Sequence, residues 1–134
     1  VAHDVRPELS SITHLFVYGT LRPGGVRWHF LEPFVVDDGW DDTAGGRVYD
    51  TGLDYPAAIF DTGTGTGTIS GRTYALLEAA RARCLDVLDE VEGVVEGEYR
   101  RIAITTGTGT RAWAYAYGTG LDLTLIESGD WFRR

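Results

Sequence analysis

Hydrophobic positions along the chain follow two different periods. Residues 13–18 read as one continuous apolar strand, centred on Leu15-Phe16-Val17, with no polar face left for water. Such a run predicts a strand buried on both sides. It breaks at Tyr18-Gly19-Thr20-Leu21, and Leu21-Arg22-Pro23-Gly24-Gly25 has the composition of a turn. Residues 26–31 predict a short helical turn around Trp28. Short strands punctuated by Gly and Asp come next: Gly46-Arg47-Val48-Tyr49, then residues 55–60, then residues 69–76. Pro56 marks the second of these as a strand start or a sheet edge. Residues 62–68 and 106–110 alternate Gly and Thr and read as flexible turns between strands. No helix opens after either, so neither is a dinucleotide fingerprint.

Between residues 74 and 92 the period becomes helical. Leu77, Cys84, Leu88 and Val91 recur along one face with Leu85 beside them, which predicts the one long helix. Gly93 stands where a C′ glycine would end it. Residues 99–105 and 111–117 then read as a hairpin around Gly107-Thr108-Gly109. In its second strand Ala112, Ala114 and Ala116 share one face, and Trp113, Tyr115 and Tyr117 the other. Small residues on one side and bulky ones on the other suit a closed or strongly curved sheet. The expected class is therefore α+β and barrel-like.

Composition narrows the function. The 134 residues, 43% hydrophobic and 12% aromatic, suit one globular domain over residues 12–134 behind a polar lead-in at 1–11. No apolar run approaches the ~20 residues of a membrane helix, and residues 1–6 lack the pattern of a secretory signal. The lone Cys84 has no internal disulfide partner, which fits a reducing compartment and a cytoplasmic location. A net charge of −8 argues against nucleic acid, which needs a basic stripe. All twelve basic residues are Arg, and Lys, Met, Asn and Gln are absent. That bias fits a GC-rich genome, and it rules out a Lys Schiff base or an Asn or Gln oxyanion donor.

Other constellations are excluded or bland. His3, His14 and His29 are too scattered for a metal site and read as surface or loop residues. Asp37-Asp38 and Asp41-Asp42, around Gly39-Trp40, do not match a calcium loop and read as a solvated acidic turn. No serine has a nucleophile-elbow context, and Cys84 is most simply core. Trp40 and Trp131-Phe132 read as exposed and are candidates for a homodimer contact, although scattered exposure is normal.

Two features carry chemistry. Of the four glutamates at 90, 92, 96 and 98, Glu92 alone follows Leu88 by four residues and Leu85 by seven, on the inward face of the helix. Glu90 aligns with Asp86 and Arg83, toward water. Burial and the negative end of the helix dipole both raise the pKa of an inward Glu there, as suits a general acid/base near neutral pH. The alternative is a structural role: pairing with Arg100 or Arg101, or fraying of the helix before Glu92. The second feature is the glycine turn after the first strand, whose consecutive N–H groups can form a nest for a carboxylate. An ordinary strand-to-turn transition is the alternative.

Tyr18-Gly19-Thr20-Leu21-Arg22-Pro23-Gly24 resembles the signature loop of the gamma-glutamylcyclotransferase-like superfamily, nearest its gamma-glutamylamine cyclotransferase branch. Gly46-Arg47-Val48-Tyr49 with Tyr55-Pro56-Ala57, Gly71-Arg72-Thr73-Tyr74, Leu88-Asp89-Glu90-Val91-Glu92-Gly93 with Tyr99-Arg100-Arg101, and Ala112-Trp113-Ala114-Tyr115 resemble its later regions in order. The resemblance runs from about residue 13 to the C-terminus. It implies a small closed mixed β-barrel with one long flanking helix and short helical turns. It also implies Glu92 as the catalytic acid/base, a substrate loop of Tyr18, Gly19, Thr20 and Leu21, and no cofactor.

The implied reaction is intramolecular aminolysis of a small γ-glutamyl substrate, giving 5-oxoproline and a free amine, with no nucleic-acid or membrane partner. Backbone N–H groups of residues 19–21 would hold the α-carboxylate. The Tyr18 hydroxyl or loop N–H groups are the candidate oxyanion donors. Tyr99 and Tyr117 are candidate pocket-lining residues, with a core role as the alternative. Two rival readings stand beside this one: a cyclotransferase dedicated to a γ-glutamyl-protected biosynthetic intermediate, and a non-catalytic small-carboxylate-binding protein on the same fold.

Overall fold

A computed structural model describes residues 12–19, 28–52, 55–60, 67–93, 99–118 and 123–133, with residues 91–93 described by their backbone. The elements are β1 (His14–Val17), α1 (Trp28–Leu31), β2 (Trp40–Asp50), β3 (Pro56–Phe60), β4 (Thr68–Ala75), α2 (Arg81–Gly93), β5 (Tyr99–Thr105), β6 (Arg111–Tyr117) and β7 (Thr124–Leu125). Short 3-10 turns lie at Glu32–Phe34, Glu78–Ala80 and Trp131–Arg133.

The strands form one mixed sheet in the order β3-β2-β4-β1-β6-β5, with β7 added to β2. The β1–β6 pair is parallel, with Leu15 opposite Trp113, and the other pairs are antiparallel. The sheet curls because β2 changes partner along its length. Residues 40–45 pair with β4, and residues 46–50 with β3. Gly46 stands at the change with φ 142°, and a Cβ there would lie 2.2 Å from the Ile59 carbonyl oxygen. Only glycine allows that corner. The curl brings β3 round onto β6. Across the seam the Tyr99 hydroxyl donates to the Pro56 carbonyl at 3.0 Å. The class is the expected α+β, a mixed sheet curled toward a barrel with helices on its outer face.

β1 is buried on both faces, as its apolar run requires. Phe16 and Tyr18 point into the curl with Val48, Ile69, Ala112, Ala114 and Trp131. Leu15 and Val17 point outward to meet Leu31, Tyr74, Cys84, Leu88 and Tyr115. The β6 alternation follows the same division. Its alanines fill the tight interior, while Trp113 and Tyr115 lie on the side that α2 covers. The β5–β6 hairpin, the Pro56 start of an edge strand and the core position of Cys84 are as expected.

Several expectations need correction. The long helix begins at Arg81, and Leu77 lies outside it, 40% exposed. The N–H groups of Leu76 and Leu77 donate to the carbonyls of Thr13 and Phe34, at 2.9 and 2.8 Å, so tertiary partners hold this segment extended. Trp40 and Asp41-Asp42 belong to β2, not to a solvated turn, and Asp42 is buried at 6% exposure. Trp131 is a core residue, and only Phe132 of that pair is exposed. His14 lies in β1, half-buried against the Trp40 ring, and burial lowers its pKa. The Gly-Thr turn at residues 106–110 is anchored, with Gly107 donating to the Thr43 carbonyl at 2.8 Å. The lead-in at 1–11 and the repeat at residues 62–66 fall outside the described residues.

Candidate active site

The candidate site lies where β1 ends at the seam of the curl. The Tyr18 ring packs edge-on against Phe60 at 5.8 Å, and its hydroxyl donates to the Tyr115 carbonyl on β6. That hydrogen bond commits the Tyr18 proton to the fold and counts against this hydroxyl as an oxyanion donor. Gly19 follows immediately. A Cβ there would lie 2.7 and 2.8 Å from Cδ and Cγ of Pro56, so the chain passes this ring only as glycine. Thr20 and Leu21 lie outside the described residues.

The aromatic side chains gather on the same side. Tyr99 and Tyr117 meet edge to face at 5.7 Å, and Tyr55 meets Tyr99 at 6.1 Å. Both Tyr99 and Tyr117 remain half-buried. The Tyr99 hydroxyl holds the Pro56 carbonyl, and the Pro56 ring lies against Gly19, so one chain of contacts runs from β5 through β3 to Gly19.

Glu92 stands in the last turn of α2. The helix is unbroken from Arg81 to Gly93, so the backbone at Glu92 is helical and the fraying alternative does not hold. Leu88, one turn earlier, is fully buried, and Glu90 is exposed as expected. The Glu92 side chain itself is outside the described residues. Arg101, one of its two candidate structural partners, is engaged elsewhere. Its Nε and Nη2 donate to the two Asp89 carboxylate oxygens at 3.0 and 3.1 Å, while its guanidinium covers the Trp113 ring at 4.5 Å. Arg100 is exposed.

Asp89 and Tyr115 are the residues that sequence reasoning passed over. The Tyr115 hydroxyl donates to Asp89 Oδ1 at 2.6 Å, and the Tyr115 carbonyl accepts from Tyr18. A signal was present in the acid one turn before Glu92 and the Arg pair after Tyr99. Which arginine faces which acid depends on how α2 docks on β5.

A concavity of about 480 Å³ lies at the other end of β6 among Asp41, Asp42, Ser70, Thr108 and Asp130. Its acidic walls are unsuited to a substrate carboxylate. Asp42 is fully engaged there. Oδ1 accepts from the Thr43 and Thr108 N–H groups at 2.8 and 3.2 Å, and Oδ2 from the Thr73 and Thr108 hydroxyls at 2.7 and 2.9 Å. Burial pushes its pKa up, but these hydrogen bonds outweigh it and hold the pKa below the usual value. Among the described residues no cluster of His, Cys, Asp or Glu has the makings of a metal site.

A curled mixed sheet with α2 packed on its outer face, Gly19 at the end of β1 and Glu92 in the last turn of that helix make this a small α+β domain. The chain belongs to the gamma-glutamyl cyclotransferase, AIG2-like family, which it matches over residues 15–133. It is 38% identical over 122 residues to the gamma-glutamylcyclotransferase family protein YtfP of Escherichia coli K12, covering 90% of this chain and 96% of that one. Among solved structures it is similar to PH0828 of Pyrococcus horikoshii, with TM-score 0.62 and 23% identity over 90% of this chain and 89% of that one. An AIG2-like protein of Mus musculus is similar at TM-score 0.56 and 20% identity, over 81% and 77% of the two chains. At those identities the structural likenesses speak for the fold alone.

Proposed function

We propose that this protein converts a γ-glutamyl amine or amide into 5-oxoproline and a free amine, with Glu92 as general acid/base. Family membership supports cyclotransferase chemistry in general. The observation that carries the finer reading is the route through Tyr115, which ties the end of β1, where the glycine loop begins, to the helix turn preceding Glu92.

In this reading the loop N–H groups from Gly19 onward hold the substrate α-carboxylate. Glu92 takes a proton from the α-ammonium. The freed nitrogen attacks the γ-carbonyl carbon, and a new N–C bond closes the ring. The bond from that carbon to the departing nitrogen then breaks as Glu92 returns its proton to it. The ring nitrogen sheds its extra proton to water, and the released amine takes one up, so the proton count balances. The nucleophile belongs to the substrate, so no Ser, Cys or cofactor takes part. Orienting such an intramolecular reaction is worth ~7 kcal/mol or more at best. A small-molecule substrate and a cytoplasmic location complete the reading, and the buried free thiol of Cys84 supports the latter.

The test is mass-spectrometric detection of 5-oxoproline from γ-glutamyl-ε-lysine, simple γ-glutamylamines, γ-glutamyl amino acids and glutathione. Glu92→Gln should lose ~100- to 10,000-fold in kcat, the usual worth of general acid–base help. A variant with near-wild-type turnover would remove Glu92 from the mechanism.

A further inference from the structure

We propose that Asp89 is a positioning residue, which with Tyr115 sets the last turn of α2, and so Glu92, in register with the substrate loop. The inference rests on the cyclotransferase reading above and adds a role for two residues.

Asp89 receives all three of its described hydrogen bonds from outside its own helix. Two come from Arg101 on β5, in the parallel fork geometry of a guanidinium on a carboxylate. The third, at 2.6 Å, comes from the Tyr115 hydroxyl on β6. Three donors on two strands fix both the rotation of α2 about its axis and its distance from the sheet. Glu92 follows three residues later, on the neighbouring position of the same helix face. A helix end is the part of a helix most free to fray, and here the anchor is placed in the final turns.

Tyr115 extends the anchor to the loop. Its side chain holds Asp89 on the outer face of the sheet, and its backbone carbonyl accepts the Tyr18 hydroxyl. Tyr18 is the residue before Gly19. One β6 residue thus contacts both the strand that delivers the loop and the helix that delivers the acid. The Asp89 side chain is 43% exposed and that of Arg101 26%, so as a surface ion pair this contact would add little stability. The geometry it enforces is the more consequential property, since ångström-scale misplacement of a catalytic group costs orders of magnitude in rate.

The test combines kinetics with hydrogen exchange on Asp89→Ala and Tyr115→Phe, the second of which keeps the ring and loses only the hydroxyl. Each should lower kcat for 5-oxoproline formation about 10-fold or more while KM stays within about 3-fold. Neither should lower it further in a Glu92→Gln background, because both act through Glu92. Amides of residues 89–93 should exchange about 10-fold faster in both variants than in wild type, with β1 unchanged. Glu90→Ala, on the exposed side of the same turn, should leave that exchange as it is. Additive losses with Glu92→Gln, an effect confined to KM, or unchanged exchange at 89–93 would overturn the proposal. Wild type without 5-oxoproline, or an active Glu92→Gln, would sink the functional reading instead, and the exchange data would still decide whether Asp89 sets the helix end.

Discussion

Replacing Asp42 with Ala should destabilise this protein more than any other single change at a polar residue described here. Asp42 is 6% exposed and accepts four hydrogen bonds. Two donors belong to Thr108 in the β5–β6 turn, one to β4 through Thr73, and one to its neighbour Thr43. Thr73 is fully buried, so its hydroxyl would be left without water or partner. A hydrogen bond to a charged group contributes roughly 1.5–3 kcal/mol, and an orphaned buried donor costs roughly 1–3 kcal/mol. The Thr43 and Thr108 groups are less enclosed and recover water, so the expected loss is about 2–4 kcal/mol, not the sum of four bonds. For a chain of 134 residues that is a fall in Tm of roughly 7–15 °C. Asp42→Asn should cost less, because hydroxyls of Thr73 and Thr108 can rotate to accept from its amide.

The pH dependence has a definite sign. The folded pKa of Asp42 lies below its unfolded value, ~3.9, so its contribution is complete above that value and is lost as pH falls through the folded one. Urea unfolding of wild type, Ala and Asn variants at pH 7 and pH 3 would measure all of this. An Ala variant within about 0.5 kcal/mol of wild type would refute the ledger, since that is the range of neutral surface changes. So would an Asn variant less stable than the Ala variant.

Gly19→Ala would push a Cβ into the Pro56 ring at 2.7 Å. It should raise KM for γ-glutamyl substrates and cost about 1–3 kcal/mol of stability by overpacking; kinetics and urea unfolding check both, and unchanged KM would detach this glycine from substrate binding. The Cys84 thiol is pushed up to about 11 by burial, partly countered by the charge of Arg101. Iodoacetamide at pH 8 should therefore label it only as fast as the protein opens, and labelling within minutes at the rate of a free thiol would contradict the packing. The losses expected for Glu92→Gln, and for Asp89→Ala and Tyr115→Phe, complete the set.

What the sequence determined by itself is local. The apolar run at β1, the Pro56 strand start, the hairpin at residues 99–117 and the helical spacing of Cys84 and Leu88 are each written within a few neighbouring residues. Periodicity and turn chemistry act at that range. Gly19 just after β1 and the helical backbone at Glu92 were legible for the same reason, as short motifs at the ends of predicted elements. Tertiary structure decided the rest. Asp42 stands in a run that reads as a solvated turn, and it is buried because Thr73 and Thr108, far along the chain, supply its donors. Trp131 is core because the curl of the sheet encloses it. Leu77 is outside the helix because Phe34 takes its N–H. The link from Tyr18 through Tyr115 to Asp89 needs the parallel register that sets Leu15 beside Trp113. A polar side chain can be buried only where another segment satisfies it, and no window of sequence contains that other segment.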